Sequence, residues 1–319
     1  MRAPEFWTST STGATAIAWA LSPLGALYDL GGRVRFATTT AFRSPLKVIC
    51  VGNLTAGGVG KTPLAIAIAD RLTARGISCA FLSRGYGGAH KGPVRVDLVR
   101  HSAVETGDEP LLLARHAPTI VSPDRVQGAI LAAETGASVL IMDDGFQNPS
   151  LVKDLSFVAV DGATGFGNGF VIPAGPLREN AKRGLARAQA VILMGDGPEP
   201  DTALPVLHAR LAPSAEAAAS VQGRKIAAFA GIGRPQKFFA TLRDAGANLV
   251  LARPFPDHYA FTTGDWNGLT GEAAEYGAAL VTTEKDWVRL KPEWRAKASA
   301  FPVHAEFDDP AMLDRILGL

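Results

Sequence analysis

Thr55-Ala56-Gly57-Gly58-Val59-Gly60-Lys61-Thr62 decides the fold of this 319-residue chain. Gly57, Gly58 and Gly60 let backbone N–H groups turn inward around phosphate oxygens, with Val59 carried between them. Lys61 reaches the β and γ phosphates, the Thr62 hydroxyl can ligate Mg²⁺, and the following helix adds the partial positive charge of its N-terminus. The flanks are what such a loop demands. Leu46 to Val51 is a short β-branched strand, and Leu64, Ile68 and Leu72 recur every four residues in a helix from Thr62 to Arg75, stopped by Gly76. Thr55 stands where the first glycine is usual, and Ala56 stands where ATPases that position proteins and plasmids carry a second lysine. This stretch predicts a bound nucleoside triphosphate with Mg²⁺, held by Thr55 to Thr62.

The strand and helix unit recurs on either side. Ser78 to Leu82, Val139 to Met142, Leu155 to Val160 and Ala190 to Met194 read as buried strands, and Ser122-Pro123-Asp124 reads as the cap and first turn of a helix ending near Gly136. Such alternation predicts an α/β, P-loop NTPase-like, mostly parallel sheet covered by helices on both faces. From Asp196 to Ala219 the composition shifts to Gly, Pro, Ala and Ser, which predicts a junction between lobes. Beyond it, a smaller alternation follows: Ile226 to Ala230, Pro235 to Ala245, Leu249 to Ala252, Gly268 to Tyr276, Ala279 to Thr282 and Val303 to Phe307. The expected organisation is an N-terminal helix over 1–35, a P-loop core over 36–205 and a smaller α/β lobe over 206–319.

Composition narrows the classes. The chain is 47% apolar and 19% charged, long enough to bury a core without staples. Cys50 and Cys79 each sit in an apolar run, which fits buried thiols in a reducing cytoplasm. A net charge of +2 with scattered cations does not point to nucleic acid. Ala16 to Leu30 is apolar around Trp19, Leu21, Leu24, Leu27 and Tyr28, but Pro23 interrupts it and it falls short of the roughly 20 residues that cross a bilayer. The alanines at 14, 16, 18 and 20 lie at the start of the apolar stretch, whereas a signal cleavage site would follow it. With Arg33, Arg35, Arg43 and Lys47 behind it, the segment reads either as a helix in a membrane interface or as one docked on its own domain.

Acidic and imidazole groups supply the remaining chemistry. Asp143-Asp144 ends an apolar strand, where P-loop enzymes place a magnesium carboxylate, and two adjacent carboxylates there call for a cation. Asp108, in Gly107-Asp108-Glu109-Pro110, is a second candidate acid that could equally cap a helix. His258 lies between polar neighbours in the second lobe, and Arg84, Arg125, Arg178 and Arg183 could clamp phosphates or pair with carboxylates.

Taken together, these residues resemble the tetraacyldisaccharide 4'-kinases, the lipid A 4'-kinases of Gram-negative bacteria. The resemblance covers nearly the whole chain. It rests on Gly52 to Pro63, Ser83-Arg84-Gly85-Tyr86-Gly87, Gly107 to Pro110, Asp143-Asp144-Gly145-Phe146-Gln147, Pro173 to Glu179, Asp257-His258-Tyr259 and Thr282-Thr283-Glu284-Lys285-Asp286. Thr55 is itself part of that family's pattern. The resemblance implies a monomeric kinase that uses ATP and Mg²⁺ to phosphorylate the 4'-hydroxyl of a tetraacyldisaccharide 1-phosphate, giving lipid IVA. It implies an amphipathic N-terminal helix on the cytoplasmic face of the inner membrane, where the lipid A disaccharide precursor stays in the bilayer. It casts Asp108 as catalytic base with His258 as partner, and Lys61 and Thr62 as the groups handling phosphates and metal. Asp143, Asp144, Arg178 and Glu179 would complete the site. Two other classes share the loop: a soluble ATP-dependent ligase, which would not need Trp19, Leu24 and the basic flank, and a GTP-driven metallochaperone. The latter needs a Cys/His cluster and an Asn-Lys-x-Asp element, whereas Lys285 and Asp286 are adjacent.

Overall fold

A computed structural model describes residues 4–319, so the first three residues of the expected N-terminal segment lie outside the described residues. In chain order the strands are β1 Lys47–Asn53, β2 Cys79–Ser83, β3 Val94–Arg95, β4 Thr119–Val121, β5 Val139–Asp143, β6 Leu155–Asp161 and β7 Ala190–Met194. They continue as β8 Val206–Pro213, β9 Lys225–Ala230, β10 Asn248–Pro254, β11 Ala279–Thr283, β12 Ala298–Phe301 and β13 Val303–Phe307. The large sheet has nine strands in the order β13-β8-β7-β6-β1-β5-β2-β4-β3, and the small one four in the order β10-β9-β11-β12. Among the described strands, only the pairs β13–β8 and β3–β4 run antiparallel.

β1 lies at the centre, parallel to β5 and β6. Its side chains alternate between two cores. Ile49 and Val51 face helix α2 (Lys61–Thr73), whose Leu64, Ile68 and Leu72 are buried as their spacing predicts. Val48 and Cys50 face the other layer, with Ala129, Ala132 and Leu185. A strand buried on both sides reads as an unbroken apolar run, which is why it was legible in sequence. Cys50 and Cys79 are free and buried.

Two expectations about chain organisation are corrected. The stretch read as a lobe junction contains β8, which pairs with β7 in the large sheet, so a division at 205/206 cuts that sheet. The Val303 to Phe307 strand, expected in the second lobe, is β13, returning to pair with β8. The closing helix Pro310–Leu317 follows it, sealing Leu313 and Leu317 into the core beneath α2. The small sheet with its helices therefore occupies the chain between β8 and β13. Locally, Asp124 rather than Ser122 caps the helix Arg125–Ala133, because its carboxylate accepts from Val126 N at 2.9 Å and Gln127 N at 3.3 Å.

Helix α1 (Thr12–Thr38) runs unbroken for 27 residues through Pro23. Proline removes the bond that would reach the carbonyl of Trp19. The Ser22 hydroxyl donates to that carbonyl instead, at 2.8 Å. The reading as a docked helix holds for part of its surface. One face, with Ala14, Ala18 and Gly25, is buried against the protein. Gly25 lies so close that a Cβ there would stand 2.7 Å from Val171 O. Asp29 pairs with Arg183 and accepts from Asn180 N at 3.1 Å, and Trp19 meets Phe170 edge-on at 5.3 Å. The other face leaves Ile17, Leu24, Leu27, Tyr28 and Val34 exposed.

Candidate active site

The phosphate loop joins the C-terminal end of β1 to the N-terminus of α2. Gly60 at the helix start has φ +80°, a conformation that strongly favours glycine. At the other end, Gly52 lets Phe146 approach, since a Cβ would meet the Phe146 Cβ at 2.4 Å. Thr55 and Ala56 do not close on phosphate through a glycine turn. They are strapped to the Pro173 to Glu179 segment, by a β-bridge from Thr55 to Leu177 and by Ala56 N donating to Pro176 O at 2.7 Å. This strap explains why a threonine is tolerated in the first loop position. Asn53 holds the loop from inside: its amide donates to Thr55 O at 2.7 Å and its carbonyl accepts from Lys61 Nζ at 3.4 Å.

Asp143 and Asp144 are adjacent but differently placed. Asp143 is buried, and its Oδ2 accepts from Thr62 Oγ1 at 2.8 Å. Its Oδ1 is buried without a hydrogen-bond partner. Burial, and then the nearby Glu109 charge, push its pKa up to about 7. Asp144 takes a left-handed φ of +52° that turns its carboxylate toward cations. It stands 2.9 Å from Arg178 and 3.7 Å from Lys61. Burial opposes its charge, but Lys61 and Arg178 prevail and hold its pKa below the ordinary aspartate value. A hydroxyl, an orphaned buried carboxylate oxygen and a lysine converging on a phosphate loop fit Mg²⁺ bound with a nucleotide. Among the described residues no three His, Cys, Asp or Glu side chains gather as a metal cluster.

Glu179 does not fit the metal role implied for it. Its oxygens are engaged by Arg187 at 2.8 and 2.9 Å and by Gln147 Nε2 at 3.1 Å. Arg187 is itself stacked between Phe36 of α1 and Phe146, at 4.5 and 4.9 Å. Glu179 thus ties the site to α1. Of the other arginines, Arg183 pairs with Asp29, Arg84 is exposed, and Arg125 is buried, where burial and then Arg84 lower its pKa to about 10.

The second cluster spans the lobes. Asp108 opens the short helix Asp108–Leu113, which packs beside α2 through Leu112 and Leu113. Asp108 is buried and its Oδ2 lies 3.1 Å from His258 Nδ1. His258 has φ +56° and donates its backbone N–H to Gly231 O at 3.1 Å, a strained conformation that turns the ring into the interface. Sequence reading missed Arg289, whose Nε is 3.0 Å from Asp108 Oδ2, and gave no role to Lys285, whose Nζ is 3.0 Å from Glu109 Oε1. Burial alone would raise the Asp108 pKa; the His258 hydrogen bond and the Lys285 and Arg289 charges overcome it and bring it to about 2. Asp108 is therefore ionised at neutral pH.

Known proteins share the sequence and fold of this chain. A family model described as tetraacyldisaccharide-1-P 4'-kinase matches residues 17–319. The tetraacyldisaccharide 4'-kinase of Rhodospirillum centenum is 49% identical over 99% of this chain and 96% of its own length. That of Rhodospirillum rubrum is 50% identical over 99% of this chain and 98% of its own. The crystal structure of LpxK from Aquifex aeolicus in complex with ATP superposes with a TM-score of 0.78 at 27% identity, covering 95% of this chain and 98% of that one. With that match running from α1 through both lobes to the closing helix, the chain belongs to the tetraacyldisaccharide 4'-kinase family.

Proposed function

We propose that the enzyme transfers the γ-phosphoryl group of ATP to the 4'-hydroxyl of a tetraacyldisaccharide 1-phosphate, giving lipid IVA, with Asp108 taking the acceptor proton. The observation that carries this reading is the buried, ionised Asp108 held by His258 across the lobe interface, beside a phosphate loop. Phosphoryl transfer asks mainly for alignment and charge neutralisation. The loop N–H groups and Lys61 would hold the β and γ phosphates, and Arg178, docked on Asp144, adds positive charge where the transferred group departs. Thr62 and Asp143, with Asp144 beside them, would hold Mg²⁺, which supplies charge neutralisation on the phosphates when bound. A carboxylate with a pKa near 2 is a weak base, but it suffices where the proton leaves late in the transfer. Supplying the acid from one lobe and the histidine from the other limits hydrolysis by water before the lobes meet.

The acceptor keeps its acyl chains in the bilayer, so the enzyme must come to it. The large apolar face of α1, with Arg33 and Arg35 near its end, suits the cytoplasmic surface of an inner membrane. No helix among the described residues is long and apolar enough to cross one. One chain contributes both halves of the acid and imidazole pair, which supports action as a monomer.

Asp108→Ala and His258→Ala test the assignment. Each is expected to reduce lipid phosphorylation at least about 100-fold while nucleotide binding is retained. Near wild-type transfer by both folded variants rules out the base.

A further inference from the structure

We propose that Arg289 and Lys285, both carried by the second lobe, form a cationic clamp that positions the Asp108–His258 pair. The clamp leaves Asp108 Oδ1 as the oxygen that meets the acceptor hydroxyl. This rests on the reading of Asp108 as base. The two oxygens of Asp108 have different surroundings. Oδ2 meets His258 Nδ1 at 3.1 Å and Arg289 Nε at 3.0 Å, with Lys285 Nζ at 4.0 Å. Oδ1 accepts, among the described residues, from Glu109 N alone, at 2.9 Å. His258 and both cations gather at Oδ2, where Arg289 stands as an ion pair because its Nε–H donates to Lys285 O at 3.1 Å; Oδ1, with about two acceptor directions and one backbone donor, retains one direction.

Lys285 sets the histidine. Its ammonium can only donate, and it lies 3.4 Å from His258 Nε2 and 3.0 Å from Glu109 Oε1. Nε2 therefore accepts, the ring proton resides on Nδ1, and Nδ1–H donates to Asp108. Arg289 sets the carboxylate. It is almost wholly buried and held from its own lobe by Gly231 O at 3.2 Å and by Asp286 at 3.2 Å. Asp286 in turn accepts from Thr283 Oγ1 at 2.6 Å and Gly231 N at 3.0 Å. Burial opposes the charge of Lys285, yet Glu109 and Asp108 hold its pKa above the ordinary lysine value, so the clamp stays cationic. The charged groups around Asp108 are thus Glu109 on its own helix, His258 and Asp257 on the loop after β10, and Lys285, Asp286 and Arg289 after β11.

In the step itself, the acceptor oxygen bonds to the γ-phosphorus as the bond from that phosphorus to its bridging oxygen breaks. ADP leaves, and the hydroxyl proton passes to Asp108 Oδ1.

The test is a double-mutant cycle on the full chain, assayed for transfer from labelled ATP to a tetraacyldisaccharide 1-phosphate in mixed micelles. Arg289→Met is expected to lower kcat about 100-fold with the KM for ATP nearly unchanged, and Arg289→Lys to recover part of the loss. The acid limb of the rate profile should move to higher pH in Arg289→Met. In an Asp108→Asn background, Arg289→Met should cost less than about 3-fold more, because the group it positions is gone. Equal losses in both backgrounds, with an unmoved acid limb, overturn the clamp. Should Arg289→Met fail to fold, Lys285→Met at a less buried position, cycled against His258→Ala, gives the same reading. Wild-type transfer by Asp108→Asn removes the base assignment itself, whereas loss in Asp108→Asn with additive Arg289→Met removes only the clamp.

Discussion

Asp108 shows how strongly neighbours can outweigh burial. Its carboxyl is 4% exposed, which alone favours the neutral form, yet the His258 hydrogen bond and the charges of Lys285 and Arg289 hold it near a pKa of about 2. A folded pKa below the unfolded value of 3.8 stabilises the native state above that value, by about 2 kcal/mol here, and this contribution fades as pH falls from about 4 to about 2. Asp108→Asn is expected to flatten that part of the stability curve in urea titrations at stepped pH; an unchanged slope between pH 4 and pH 2 contradicts the pairing. At this scale the sequence was half legible. Lys61, Thr62, Asp143 and Asp144 stand at motif positions fixed by short loops, so their meeting could be read directly. The approach of Arg289 to Asp108 spans 181 positions and depends on lobe docking, for which no local pattern exists. Glu179 misled for a related reason: its place beside Arg178 is visible in sequence, but its capture by Arg187 and Gln147 is not.

Among the elements, α1 carries the division of labour most plainly. Small residues at 14, 18 and 25 face the protein and large ones at 17, 24, 27, 28 and 34 face outward, so the helix docks and still presents an apolar surface. Leu24→Asp with Leu27→Asp should weaken binding to anionic vesicles by about 10-fold or more with an unchanged melting temperature, since neither side chain is packed. Undiminished binding in a vesicle sedimentation assay rejects the membrane face. Pro23 interrupts the apolar run but not the helix, because the Ser22 hydroxyl supplies the donor that proline removes. The central strands were legible because burial on both faces leaves a continuous apolar signal. β3 and β4 were not read, being pieces of only two and three residues at one end of the large sheet.

In the whole molecule, the chain leaves the large sheet after β8 and returns through β13. Pairing of two edge strands separated by an intervening lobe leaves no trace in local composition, and the Gly- and Pro-rich approach to β8 resembled a linker. The returning helix makes the large lobe depend on the C-terminus. Leu313 is wholly buried beneath α2, so Leu313→Ala should cost about 2–5 kcal/mol in denaturant unfolding; a loss under about 0.5 kcal/mol contradicts that packing.

The most direct measurement of the central claim is transfer of the labelled γ-phosphate of ATP to a tetraacyldisaccharide 1-phosphate in mixed micelles by the purified chain. A labelled bisphosphorylated lipid, dependent on Mg²⁺ and abolished by Lys61→Ala, is the predicted result. Nucleotide binding without any labelled lipid contradicts it.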